Sequence, residues 1–400
     1  MDEILGYLSD DRPTLKACSL TCKAMLSSAR PLIKSWLFLV STGNRRSNLR
    51  FMQSIFKRSK EDSGPFERLV AADCQGSLQY TRHLVIRMGR LPLIPEPLQP
   101  YTPYFHRIDN LQTLVIHGPD VSAFVPVFDD YFGMFARSLR CLDIAYILDA
   151  ERQLLHFISQ FPLLEDLSIQ SCYVVYSHPG SSPPMPRTSP PFRGRLKLSI
   201  TMDSQSLCEA LAQLPGGLNF TSLELKGCRR PMAVIKACRF TLKSVLFTWT
   251  GSLGKCHSIS LRIPALTNLP VAGRALDLGD SAVLEKFEFK VDCANLPSTP
   301  SWLYRTLWKT KSPVLKEFTI SVLKCSSPAD LCAAMNEGGW RSVDAYLCIL
   351  AKFQPSFKVV FRVGFGDDEG CVVRNLVEEH FSLASNKGIL RIEPIRTSRE

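Results

Sequence analysis

Leu111-Gln112-Thr113-Leu114-Val115-Ile116 is the stretch that decides the fold. Its form is apolar-x-x-apolar-x-apolar. The closing alternation puts Leu114 and Ile116 on one side of an extended chain and Thr113 and Val115 on the other. The same form returns at Leu139, Leu142, Ile144 and at Leu164, Leu167, Ile169. It returns again at Phe220, Leu223, Leu225, at Leu242, Val245, Phe247, at Leu284, Phe287, Phe289 and at Leu315, Phe318, Ile320. Weaker copies stand at Leu84/Ile86, Leu196/Leu198, Leu261/Ile263 and Val359/Phe361. Starts at 111, 139 and 164 lie 28 and 25 residues apart.

Helical spacing precedes many copies. Leu154, Leu155, Phe157, Ile158 and Phe161 share a helical face, and Pro162 ends it before Leu164. Leu207, Ala210, Leu211 and Leu214 do the same before the Pro215-Gly216-Gly217 turn. Trp302, Leu303, Thr306 and Leu307 precede Leu315; Tyr346, Leu347, Leu350 and Phe353 precede Val359. A strand plus a helix at a period of 22–30 residues is the signature of leucine-rich repeats. Such a unit buries its apolar face only against its neighbours. The spacing therefore predicts an α/β fold, a leucine-rich-repeat-like solenoid over residues 36–400 with parallel strands on the concave face and helices outside. Repeats of this type carry Asn or Cys three residues after the third apolar position. Cys172 and Cys228 hold that place, while Pro119, Ile147 and Thr250 do not, so the repeats are degenerate. Pro-rich stretches near 91–103 and 177–192 read as surface loops.

Composition fits this reading. The 400 residues are 45% hydrophobic and 21% charged, as in a globular chain. Net charge is +11, but the basic residues are scattered without a like-charge block, which argues against a nucleic-acid interface. No segment approaches the roughly 18 apolar residues of a membrane span. Asp2, Glu3, Asp10 and Asp11 are wrong for a signal peptide, so a cytoplasmic or nuclear location is expected. The 14 cysteines, with no Cys-x-x-Cys among them, then read as reduced.

Enzymatic signals are lacking. None of the seven histidines pairs with another at metal-ligand spacing, and neither a Gly-x-Ser-x-Gly elbow nor a phosphate loop occurs. Gly364–Gly370 lies between a predicted strand and helix, but its spacing is wrong for a dinucleotide turn and its three acids would repel a pyrophosphate. No catalytic residue, metal or cofactor is expected.

The first 35 residues read differently. Ile4, Leu5 and Leu8 share a helical face, and Leu15, Cys18, Cys22, Met25 and Leu26 form a second apolar stripe after Pro13. The segment 2–33 resembles an F-box of the form common in basidiomycete fungi. The resemblance rests on Asp2-Glu3-Ile4-Leu5, on Asp10-Asp11-Arg12-Pro13-Thr14-Leu15, on Cys18-Ser19-Leu20-Thr21-Cys22-Lys23 and on Ser28-Ala29-Arg30-Pro31. Two features depart from the family. Its usual opening Leu-Pro-x-Glu-Leu-like element is missing, so residues 1–35 form a partial box, and Met25 stands where tryptophan is usual.

The resemblance implies a substrate receptor of an SCF-type cullin–RING ubiquitin ligase. Its box would bind a Skp-type adaptor through Ile4, Leu5, Leu8, Pro13, Leu15, Ser19, Leu20 and Met25. Its repeats would hold an unidentified target protein. Strand alternation nominates the target-facing side chains: His117, Asp143, Asp166, Gln170, Glu224, Lys226, Lys286, Glu288, Lys290 and Glu317, with Thr113, Val115, Ser168 and Thr319 beside them. The alternative is a repeat scaffold not coupled to a ligase.

Overall fold

The computed structural model describes residues 36–40, 78–87, 102–117, 132–146, 151–171, 191–200, 205–228, 231–249, 276–310, 312–336, 339–364 and 369–395, with residues 14, 72 and 76. The partial box, the boundary near residue 35, Cys172, Leu261/Ile263 and most of both Pro-rich stretches lie outside these. The chain divides into two compact units, Met1–Phe192 with Leu214–Gly216, and Arg193–Gln213 with Gly217–Glu400.

The first unit contains β1 (Trp36–Val40), β2 (His83–Arg87), β3 (Thr113–His117), β4 (Cys141–Tyr146) and β5 (Asp166–Ser171). Helices α1 (Thr102–Phe105) and α2 (Glu151–Ile158) lie between strands. The five strands stand in chain order, each parallel to the next. Register is set by the apolar pattern: Leu84, Leu114, Leu142 and Leu167 form one row, and Ile86, Ile116, Ile144 and Ile169 the next. All eight are buried. A one-residue slip would turn every one of them outward, which is why the rows hold.

The residue after the first apolar position joins successive copies. The Arg82 carbonyl accepts from Gln112 and Thr113, that of Gln112 from Arg140 and Cys141, and that of Arg140 from Glu165 and Asp166. Thr81, buried, takes the first position of the copy at Leu84/Ile86. That copy is therefore complete, with a threonine at the place an apolar residue takes in the strong copies.

The second unit contains β6 (Phe192–Ile200) from Arg193 onward, β7 (Leu218–Lys226), β8 (Ser244–Trp249), β9 (Lys286–Asp292), β10 (Glu317–Leu323), β11 (Lys358–Val363) and β12 (Leu390–Pro394). Its helices are α3 (Gln205–Ala212), α4 (Met232–Ala237), α5 (Thr299–Lys309), α6 (Pro328–Asn336), α7 (Trp340–Phe353), α8 (Gly370–His380) and α9 (Ser382–Asn386). These strands also follow chain order, and β7 through β12 pair in parallel. Leu223, Val245, Phe287, Phe318 and Val359 share one buried row. Helices cover this face: Trp302 of α5 stacks on Phe247 at 5.2 Å and lies tilted against Phe289 at the same distance, and Phe381, after α8, packs 5.8 Å from Phe361. Gly217, at φ +71°, makes the expected turn into β7.

Three expectations are corrected. The first Pro-rich stretch ends earlier than 103, because Thr102 and Pro103 open α1, where proline's fixed φ suits a first turn. The second ends by 191, since Phe192 begins β6 and is buried. Phe353 does not share the buried face of α7; Leu347 and Leu350 are buried, but Phe353, the last residue of the helix, is 79% exposed.

Lys324, just past β10, is the one non-glycine among the described residues with positive φ, at 52°. Its Nζ lies 3.0 Å from Asp292 Oδ2, an exposed pair of small energetic weight. A β-branched side chain tolerates this conformation worst. Lys324→Val is expected to lose about 1–2 kcal/mol, and Lys324→Gly to stay within about 0.5 kcal/mol of the parent because relieved strain and added unfolded-chain entropy offset. Urea unfolding of both variants checks this ordering.

Candidate functional site

Every nominated target-facing residue stands on a strand face opposite the core. In the first unit, adjacent strands bring His117, Asp143 and Gln170 together. Gln170 Nε2 donates to Asp143 Oδ1 at 3.3 Å, and His117 Nε2 lies 3.2 Å from Asp143 Oδ2, an electrostatic approach without hydrogen-bond alignment. Asp166 Oδ2 receives the Cys141 thiol at 3.9 Å. Val115, Asp143 and Ser168 form one cross-strand row.

In the second unit the face is a network of paired charges. Glu224 meets Lys197 at 3.3 Å. Glu288 lies at the centre of a larger set, with Lys290 Nζ at 3.6 Å, Arg362 at 3.7 Å and Ser321 Oγ donating at 3.1 Å. Arg362 continues to Glu393 at 3.0 Å, and Glu393 to Arg391 at 2.9 Å. Glu317 accepts from Thr319 Oγ1 at 3.3 Å and stands in register with Lys286. Lys226 is exposed at the end of β7. Thr319 and Ser321 are themselves buried, so they support the charged residues from below and offer little surface of their own.

Sequence reasoning missed Lys197, Arg362, Arg391 and Glu393. The copies that carry them are weak, and β12 lacks the first apolar anchor altogether. It also missed a cluster on the helices. Tyr304 and Trp308 of α5 pack against Tyr346 of α7 at 5.9 and 5.6 Å, leaving Trp308 60% exposed. Ile349 and Phe353 continue the exposed apolar face along α7.

A second ladder runs along the joining positions. Arg140 bonds to Glu165 in the first unit. In the second, Glu285 takes Lys316 at 3.0 Å, and that hydrogen bond holds its carboxyl below the usual range, with Lys243 and Lys286 adding to the effect. Cys228, three residues after Leu225, is buried; its thiol lies 3.6 Å from the Leu198 carbonyl and 3.8 Å from that of Lys226. The thiol thus reaches two backbone carbonyls at the exit of β7.

His380, at the end of α8, is half-buried with Nε2 unpaired among the described residues. Burial lowers its pKa below 6.5; Glu379 opposes the shift and Arg341 adds to it. Between the lowered folded value and the unfolded one, the unfolded chain binds more protons, so stability falls as pH falls through that window. His380→Gln is expected to flatten this part of the stability–pH curve, as thermal melts between about pH 5 and 7 would read.

Among the described residues no three His, Cys, Asp or Glu side chains gather as metal ligands, and no helix is long and apolar enough to cross a membrane. What the strand face offers is a set of paired charges on strands about 4.8 Å apart. Fold and surface define a class, an α/β protein of repeated strand–helix units with parallel strands in chain order. No family model, no curated protein and no solved structure matches the chain.

Proposed function

We propose that this protein is the substrate-recognition subunit of an SCF-type cullin–RING ubiquitin ligase. Its first 35 residues dock a Skp-type adaptor, and a leucine-rich-repeat-like array holds the target. The observation that supports target binding is the register of the second unit's strands, which stacks non-core side chains of successive copies into two polar rows, Ser244–Lys286–Glu317–Lys358 and Thr248–Lys290–Ser321–Arg362. The link to a ligase rests on the F-box resemblance of residues 2–33. The receptor makes and breaks no bonds. It raises the effective concentration of target lysines at the conjugating enzyme's thioester.

One observation favours the second reading, a repeat scaffold uncoupled from a ligase: Met25 stands where the box usually carries tryptophan. Large aromatic anchors supply much of the affinity of small interfaces. Direct binding of the full chain to a purified Skp-type adaptor separates the two readings. The ligase reading expects measurable affinity, a loss of tenfold or more (at least about 1.4 kcal/mol) in the Leu5→Ala/Leu8→Ala variant, and tighter binding in Met25→Trp. No adaptor binding by either the parent or Met25→Trp assigns the chain to the scaffold class.

A further inference from the structure

Two cysteines from successive strand exits meet in the second unit. Cys293 directly follows β9 and is buried; Cys325 lies two residues past β10 and is half-buried. Their Sγ atoms are 2.7 Å apart. A covalent sulfur–sulfur bond needs about 2.05 Å, so a small side-chain adjustment would complete one.

The backbone explains the meeting. Strands β9 and β10 stay in register to their ends, where Asp292 stands opposite Leu323. Lys324 then turns into the left-handed region at φ 52° and ties its Nζ to Asp292. That single turn carries the next residue, Cys325, back over Cys293. Cys332, the nearest other cysteine in sequence, lies on α6 and takes a contact from Asn336 instead.

We propose that Cys293 and Cys325 form a reversible disulfide site, oxidised by small aliphatic disulfides of the glutathione class. Cys325, the more accessible, loses its proton and attacks one sulfur of the small disulfide. That disulfide's bond breaks, and one small thiolate leaves and takes up a proton. Cys293, deprotonated in turn, attacks the Cys325 sulfur of the mixed disulfide and expels the second small thiol. Two protein thiols and one small disulfide become one protein disulfide and two small thiols. Burial, reinforced by Cys293, pushes the Cys325 thiol up to about 12. The first step is therefore slow at neutral pH, and its rate rises about tenfold per pH unit. The bond would tie two strand exits together across α5 and β10. By closing that loop it should raise the midpoint of thermal unfolding by about 5 °C or more.

The test uses the reduced full chain incubated with oxidised glutathione at about pH 8, near the ordinary thiol pKa, then alkylated and digested with trypsin without reduction. The expected product is peptide 291–305 joined to peptide 325–341, with fragment ions placing the bond on Cys325. Dithiothreitol should release it, Cys325→Ser should abolish it and Cys332→Ser should leave it intact. Glutathione held on Cys325 with no cross-link after prolonged incubation overturns the proposal, as does a cross-link through Cys332. The parent chain gives the reading directly, so a poorly folding variant does not blunt it. Neither outcome bears on adaptor or target binding.

Discussion

Asp344→Ala is expected to destabilise the protein by about 2–4 kcal/mol, reported by urea unfolding. Asp344 lies on α7 and is 2% exposed. Its Oδ2 accepts from the Leu383 amide at 2.8 Å and its Oδ1 from the Ala384 amide at 2.9 Å. Those amides open α9, a five-residue helix too short to satisfy its own first turn. One carboxylate, some 40 positions earlier in the chain, thus caps a helix that supplies no side-chain cap of its own. Alanine strands both amides, and each buried unpaired group costs about 1–3 kcal/mol. The Asp344→Asn variant keeps one accepting oxygen, so its loss should fall near half. A loss below about 1 kcal/mol for the alanine variant would mean that water reaches the α9 amides, and would remove Asp344 from its role.

Asp344 was findable in principle. It sits at helical spacing from Trp340, Leu347 and Cys348, a polar residue inside an apolar stripe. Its partner was not, because nothing local links residue 344 to residues 383 and 384. The same division runs through the molecule. Strands β3, β4, β5, β7, β8, β9 and β10 were legible because each repeats the same three buried apolar anchors. Strand β12 was not, since Lys387 stands where the first anchor belongs and Leu390 and Ile392 are only half-buried. The nominated face residues followed from alternation alone. The Glu288–Arg362–Glu393 network needed cross-strand register, which one sequence does not carry. The weak copy at Leu84/Ile86 concealed its first anchor because Thr81, buried at that place, reads as polar.

Phe157→Ala carries the other large expected loss, about 3–5 kcal/mol in the first unit. Phe157, on α2, is fully buried and meets Phe161 edge-on at 4.9 Å and Phe132 at 6.4 Å. Phe132 in turn packs 5.6 Å from Phe105 at the end of α1. Four rings from segments preceding β3, β4 and β5 therefore share one contact chain, and the strands they precede are the copies that present His117, Asp143 and Gln170. Removing the Phe157 ring opens a cavity bordered by Phe132 and Phe161, from the copies that contain β4 and β5. The backbone of a parallel array cannot collapse into it without breaking the rows of Leu and Ile on the strands. Phe157→Leu should lose distinctly less, because most of the volume remains. Phe132→Ala combined with Phe157→Ala should lose less than the two separate effects added, since each ring is part of the other's surroundings. Strict additivity of the pair would show that the rings pack independently, and the copies would then have to be held together by the strand rows alone.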